Sequence, residues 1–389
     1  MNERFGVYGG RYVGEVLMQA LIELEEAFEK IYPSKKFQRE FGELLRDYAG
    51  RPTPLYYCRN FSKRLGFKVY LKREDLVCGG SHKLNNALGQ ALLAKKMGKE
   101  RLITETAAGQ HGLATAMAGN VVGLKTEIFM GVKDIERQAS NVKRMKMLGA
   151  VIKPVSAGAG VLKDAVSATL REWAACSRTT HYLLGSTVGP HPFPTIVAAF
   201  QSVIGKELRQ QILERESRLP DAIVACGSGG SNALGAFKPF INDKDVRLYF
   251  VEGGGEGLDA DNSAAAFVLG KPGVLHGSLM VVMQDENGQI RPSKTRAAGL
   301  NYPGRGPELS YLCETGRVKP CYVFDNEVFE AVRIMAENEG LIPALETAHA
   351  IAYLLNHGDE FDRDDIVVIN FSGRGDKDLD VILKHFYGE

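Results

Sequence analysis

The stretch GGSHKLNNALGQ, Gly79 to Gln90, sets a lysine directly after a histidine at what reads as the mouth of a helix, among small residues and two asparagines. Lysines ordinarily stay on the surface because ammonium groups are costly to bury. A desolvated lysine loses its proton more easily, and its free amine is a nucleophile for an aldehyde. Three further stretches could work with it: the acid Glu105 of ITETAAGQHG, the serine Ser372 of VVINFSGRGDKD, and the loop GSGGSNALGAF that follows the apolar run DAIVAC, Asp221 to Cys226. A strand, a glycine turn and a helix in succession aim backbone N–H groups and a positive helix end at one spot, which suits a phosphate. The loop has no GK[ST] and departs from G-x-G-x-x-G at Asn232, so it is neither a Walker loop nor a dinucleotide fingerprint, while Ser231 and Asn232 add side-chain donors. Alone it reads equally well as a tight connection between strand and helix. In open α/β sheets ligands collect beyond the carboxyl ends of strands, so these four segments can converge. A phosphate cradle beside a desolvated lysine suits a phosphorylated aldehyde held as a Schiff base, which is pyridoxal phosphate chemistry.

The elements that must position these groups alternate. KVYLKRE, RLITET, KTEIFMG, AVIKPV, DAIVACG, VRLYFVEG and DIVVINFSG are apolar runs of strand length set among amphipathic stretches of helix length. That pattern predicts an α/β chain of mostly parallel sheets covered by helices on both faces. ALIELEEAFEKIY and FQREFGELLRDY predict two N-terminal helices, and GRPTPL, Gly50 to Leu55, ends them. Residues 270–307 are rich in Gly and Pro and poor in periodicity, which predicts a long ordered loop near the site.

With 389 residues the chain suits two lobes and a cleft. A formal charge of +1 gives no electrostatic reason for nucleic acid or an anionic membrane, so a small molecule is the expected ligand. The six cysteines are widely spaced without a CxxC pair, as free thiols in a reducing cytosol are. No charged-then-apolar leader opens the chain and no apolar run approaches the roughly 18 residues of a membrane span, which predicts a soluble cytoplasmic protein.

The stretches RFGVYGGRYV, YAGRPTPL, LKREDL, SHKLNNALGQALLAK, ETAAGQHGLATAMAG, VGPHPFPTIV, FQSVIGKEL, ACGSGGSNA, GLIPALETAHA and NFSGRGDKDLD together resemble the tryptophan synthase β-subunit family over nearly the whole chain. The resemblance implies a two-lobed type II pyridoxal phosphate fold. Its lobes would be residues 1–48 with 82–200, including a mobile substrate-closure region near 98–185, and 49–81 with 201–389, carrying the phosphate loop. It implies β-replacement, in which L-serine loses its hydroxyl to give an enzyme-bound aminoacrylate that indole or a related nucleophile attacks. Lys83 matches the Schiff-base lysine and His82 a residue near the cofactor phosphate, which Ser228, Gly229, Gly230, Ser231 and Asn232 would cradle. Glu105 matches the acid that protonates the leaving hydroxyl. Thr106, Ala107, Gly109, Gln110 and His111 match the loop for the substrate carboxylate, although His111 by itself reads as a packed histidine. Ser372 matches the hydroxyl facing the pyridine nitrogen. Glu346 matches a glutamate near the cofactor, its plain alternative being a helix-face carboxylate. The family also implies a homodimer, an α subunit as partner, and a monovalent cation, Na+ or K+, bound through backbone carbonyls.

The chain departs from the family pattern in several places. Ala107 stands for a glycine, costing on the order of 1 kcal/mol if that position needs positive φ. Gly227 and Ser228 alter the cradle, and Gly14 and Gln19 replace prolines. In GLNYPGRGPEL, Gly299 to Leu309, Asn301 replaces an aspartate that in the family helps hold the serine hydroxyl, and Leu309 replaces a histidine. Arg296 and Arg305 sit where the family is commonly uncharged, and Leu275 replaces an aromatic residue. Loss of the carboxylate with gain of two arginines predicts tolerance of an anionic leaving group, as in O-phospho-L-serine, and leaves open a paralogous β-replacement or serine-deaminase activity.

Overall fold

In the computed structural model, which describes residues 3–259 and 261–388, all seven strand-length apolar runs form strands. One sheet is wholly parallel, in the order Val151–Val155, Lys125–Gly131, Arg101–Thr106, Thr180–Tyr182. A larger sheet runs Lys319–Phe324, Arg247–Gly255, Ala222–Cys226, Ile366–Phe371, Lys68–Arg73, Leu55–Tyr57, and only the last strand is antiparallel to its neighbour. Ala222–Cys226 and Ile366–Phe371 are buried at every residue, as strands covered on both faces are.

The N-terminal helix Glu15–Ile31 buries Leu17, Ala20, Leu21, Leu24 and Phe28, a stripe at helical spacing, with Glu15 in its first turn and Lys30 in its last. The next helix, Lys35–Glu43, starts at Ser34, whose Oγ accepts the Phe37 N–H at 3.2 Å. Lys83–Lys96 has no polar face: residues 84–94 are all buried, so this helix is central and its start lies deep in the molecule. Gly89 permits that packing, because a methyl there would lie 2.3 Å from the Phe200 ring.

Residues 270–307 are more regular than the sequence suggests. Lys271–Leu275 and Ser278–Val282 form an antiparallel hairpin, to which Tyr8–Gly9 and Gly304–Arg305 also pair. Gly273 and Pro272 interrupt the alternation that would have marked the first strand, an edge strand paired with Ser278–Val282.

Candidate active site

The carboxyl ends of the two large sheets open on a cleft with about 1020 Å³ of space, lined by Lys83, Glu105, Ser228 and Ser372 among others. Each of these arrives by a strand end or a helix start. Glu105 is the penultimate residue of Arg101–Thr106, Ser372 follows Ile366–Phe371, and the glycine loop follows Ala222–Cys226. Lys83 opens the central helix after His82, whose N–H donates to the Ser372 carbonyl at 3.0 Å and so ties two of the four segments together.

Lys83 Nζ donates to the Gly185 carbonyl at 3.3 Å. Burial lowers its pKa, with Glu105 and Glu346 opposing. The same burial raises the Glu105 carboxyl to about 7, the Tyr182 hydroxyl and Lys83 pulling the other way. Glu105 Oε2 and the Tyr182 hydroxyl are both buried and complete no hydrogen bond. An acid that keeps its proton near neutrality thus shares the cleft with an amine that gives its proton up, the division of labour that proton transfer in both directions needs.

His82 and His111 are both pushed down to about 3 by burial and by Lys83. His111 Nε2 lies 3.0 Å from the Leu183 carbonyl, which can only accept, so Nε2 carries the hydrogen and the buried Nδ1 is a bare acceptor. His111 lines the cleft with Thr106, Ala107 and Gln110. Gly109 does not line it. It sits behind, at φ +80°, capping the helix Gln110–Val122, and a methyl on it would meet Asn141 at 2.5 Å. Asn141 also holds the loop by donating to the Ala108 carbonyl at 2.7 Å. Ala107 is not in the positive-φ region, so its replacement of a glycine carries no backbone strain.

The phosphate loop turns at Gly230, φ +100°, into the helix Ser231–Phe237, whose first N–H groups have no partner within the helix. Ser228, Gly229, Gly230, Ser231 and Asn232 all line the cleft. The Asn232 side chain, expected to donate to the ligand, instead donates to the Cys226 carbonyl at 2.8 Å and accepts from Asn370 at 3.0 Å, so it shapes the loop. Ser228 Oγ donates to the Tyr302 carbonyl at 3.0 Å. At position 227 only glycine fits, since a Cβ would lie 2.4 Å from the Phe250 ring. The donors left for an anion are the backbone N–H groups and the hydroxyl of Ser231, which lines the cleft.

Ser372 Oγ is 2.9 Å from Thr347 Oγ1 and 3.5 Å from Cys226 Sγ, so its hydrogen-bond partners are neutral. Glu346 is no solvated helix-face acid: it lines the cleft, its Oε1 accepts from the Gly299 N–H at 2.8 Å and from Lys377 at 3.1 Å, and its Oε2 pairs with the Lys377 ammonium at 2.8 Å. Burial alone would raise its carboxyl, but Lys377 overrides burial and the net shift is downward. Lys377, Thr347, Tyr182 and Tyr302 are site residues that sequence reasoning missed. The run GRGDKD carried a signal for Lys377, two charges of opposite sign beside a glycine turn, while nothing local marks the two tyrosines.

Asn301 does not line the cleft. Its amide is paired with the backbone of Thr295, accepting at 2.7 Å and donating at 3.0 Å. Arg296 is 60% exposed and pairs with Glu256, while Arg305 is completely buried against Glu252 and is not a cleft residue. None of the three lines the cleft in this structure, so it supplies no contact that favours an anionic leaving group.

A family model described as pyridoxal-phosphate dependent enzyme matches residues 47–373. Tryptophan synthase beta chain 1 of Methanosarcina acetivorans is 54% identical over 387 residues, covering 98% of this chain and 96% of that one. The chain belongs to the pyridoxal-phosphate-dependent enzymes, among the tryptophan synthase β chains. Two solved structures share the fold: a threonine deaminase of T.th., with TM-score 0.64 and 22% identity over 91% of this chain and 97% of that one, and a fungal L-serine ammonia-lyase from Rhizomucor miehei, with TM-score 0.65 and 20% identity over 86% and 98%. The cleft fits the family's cofactor, because an amine whose pKa burial lowers, a glycine cradle of backbone donors and the Ser372 hydroxyl all line it.

Proposed function

We propose that the protein condenses L-serine with indole to give L-tryptophan and water, with pyridoxal phosphate as cofactor. The observation that carries this reading is the meeting of Lys83, an amine low in pKa, with Glu105, a carboxyl protonated near neutrality, in one desolvated cleft. Lys83 would hold the cofactor's aldehyde carbon, the backbone of 228–232 and His82 its phosphate, and Ser372 its ring nitrogen, with Glu346 alongside. Bound there, pyridoxal phosphate supplies the sink for the electron pair left at the serine α-carbon.

The chain's own groups do the rest. The backbone N–H groups of Thr106 to His111, at the start of the helix Gln110–Val122, hold the serine carboxylate. Lys83 Nζ, freed once the serine amine has displaced it from the aldehyde carbon, would take the proton from the α-carbon. Hydroxide leaves poorly, so Glu105 delivers its proton to the departing oxygen, and its carboxylate then accepts the proton that indole gives up on attack. A serine beside the ring nitrogen stabilises positive charge there less than a carboxylate would, which favours elimination and replacement over transamination. Asn301 joins the substrate only when closure of the region near 98–185 releases its pair with Thr295.

The same reading makes the protein a cytoplasmic homodimer that docks an α subunit, in keeping with exposed Val7, Tyr12, Val16 and Val274 on adjoining segments. Among the described residues no helix is long and apolar enough to cross a membrane. The test is tryptophan formation from L-serine and indole, with pyruvate measured in parallel. The parent is expected to make tryptophan, and Lys83→Ala to make none while its circular dichroism and Tm stay those of the parent. Pyruvate without tryptophan would assign the protein to serine deamination instead.

A further inference from the structure

The monovalent cation implied by the resemblance meets an obstacle in this chain. Behind the cradle, five oxygens surround one small buried space: the carbonyls of Tyr302, Gly304 and Ala264, the hydroxyl of Ser228 and the carboxylate of Glu252. Carbonyl-rich, all-oxygen sets of this kind are what Na+ and K+ take. Here the point is held by the Arg305 guanidinium. Its Nη1 donates to Tyr302 O at 2.9 Å, to Gly304 O at 3.1 Å and to Ser228 Oγ at 3.3 Å, its Nη2 donates to Ala264 O, and its Nε donates to Glu252 Oε1 at 2.5 Å. Arg305 and Glu252 are both fully buried. Glu252 is completed by the N–H of Phe267, at 3.1 Å to one oxygen and 3.3 Å to the other.

We infer that Arg305 is a built-in cation that takes the place of the monovalent ion and makes the enzyme independent of Na+ and K+. A guanidinium is always protonated and its N–H fork is rigid, so it satisfies several buried acceptors at once without an exchangeable ligand. An ion seated among the same oxygens would stand within hydrogen-bond reach of a fixed positive charge. The carbonyls need a positive partner, because buried acceptors left bare are costly. Two of the five oxygens belong to Tyr302 and Ser228, which line the cleft. Arg305 is thus a positioning residue. It locks the segment that carries the Tyr302 ring to the phosphate cradle, as the ion would.

The inference rests on the pyridoxal phosphate reading of the cleft only for the turnover readout; ion binding and unfolding are followed without substrate. The holoenzyme is exchanged into tetramethylammonium buffer and titrated at constant ionic strength with K+, Na+ and NH4+, following kcat, Tm, the visible spectrum of the bound cofactor, and thallous ion, a K+ mimic, by NMR. The parent is expected to show no response to any of the ions and no thallous binding that K+ displaces. Arg305→Met should lose roughly 10- to 100-fold in kcat without metal ions, the scale for losing a group behind a site. It should regain activity, Tm and spectrum with K+ or with free guanidinium, and bind thallous ion. Arg305→Lys keeps a charge at the point and should stay ion-independent. A parent whose kcat and Tm climb with K+ overturns the inference, as does folded Arg305→Met that responds to no cation. Should Arg305→Met fail to fold, the parent titration decides alone.

Discussion

Two clusters of buried charge lie two residues apart on the same helix, and they are built on opposite terms. Around Asn85, Arg51 grips Glu74 at 2.7 and 2.9 Å and Glu207 at 2.8 Å, Lys72 bonds Glu207 at 2.7 Å, and Thr53 and Asn85 fill the remaining positions on Glu74. Two cations face two anions and each carboxylate is bonded on both oxygens. Around Lys83, the buried Glu105 Oε2, Tyr182 hydroxyl and His111 Nδ1 have no partner. Gln201 joins the clusters, accepting from Asn85 at 3.3 Å and donating toward His82 Nδ1 at 3.2 Å. The difference teaches what burial is for in each place. Satisfied charge fixes geometry and is held in its charged form, whereas groups left without partners are pushed toward their neutral forms and stay available for substrate.

Removing the proton donor should produce the largest effect and sharpen the contrast most. Glu105→Gln is expected to slow elimination from serine by about 10² to 10⁴. In the parent, elimination should fall as pH rises through about 7, where Glu105 loses its proton, and the variant should lack that limb. A variant with an unchanged pH–rate profile would take Glu105 out of the proton-transfer role.

Breaking the satisfied cluster should instead cost stability. Arg51→Met removes the ion-pair partner of Glu74 and one of the two cations on Glu207, and is expected to cost about 3–5 kcal/mol in denaturant unfolding. Burial would raise the Glu74 carboxyl, but Arg51 and Lys72 hold it down at about 2. A depressed carboxyl contributes stability that is complete above its ordinary pKa near 4.5 and is lost as pH falls from there through about 2, so Glu74→Gln should flatten that part of the acid unfolding curve. If Arg51→Met unfolds at the parent's midpoint, the cluster is not the strut described.

The smallest effect has the opposite sign. In the cofactor-free protein Glu105 is held near 7, so native stability falls as pH rises from about 4.5 to about 7 and then stays low. Glu105→Gln lacks that fall and should be more stable than the parent by about 3–4 kcal/mol above pH 7, at roughly 1.4 kcal/mol for each pH step of one across that interval, and equal to it near pH 4. A variant no more stable than the parent at pH 8 would show that the cleft carboxyl is better solvated than its surroundings suggest.

Chemistry that depends on neighbours along the chain was legible. His82 and Lys83, the glycine loop, Glu105 at a strand end and Ser372 after a strand are local patterns, and the strand runs that carry them follow from apolar spacing, so these groups converge in the cleft. The hairpin in 270–307 was not legible, because Pro272 and Gly273 break its alternation and Tyr8–Gly9, from the start of the chain, extends its sheet. Asn301, Arg296 and Arg305 were recognisable as departures but not by consequence. A side chain's direction is set by its partners, and theirs are Thr295, Glu256 and Glu252.

The sequence by itself determined the α/β class, the amine and acid of the reaction, and the loop that offers backbone donors to a phosphate, because each is written within a few consecutive residues. Tertiary structure alone decided which polar groups stay unsatisfied and which are sealed. The pKa of Glu105 depends on what surrounds it in space. The role of Arg305 depends on main-chain carbonyls drawn from positions 264, 302 and 304, and a carbonyl carries no side-chain identity for a sequence to show.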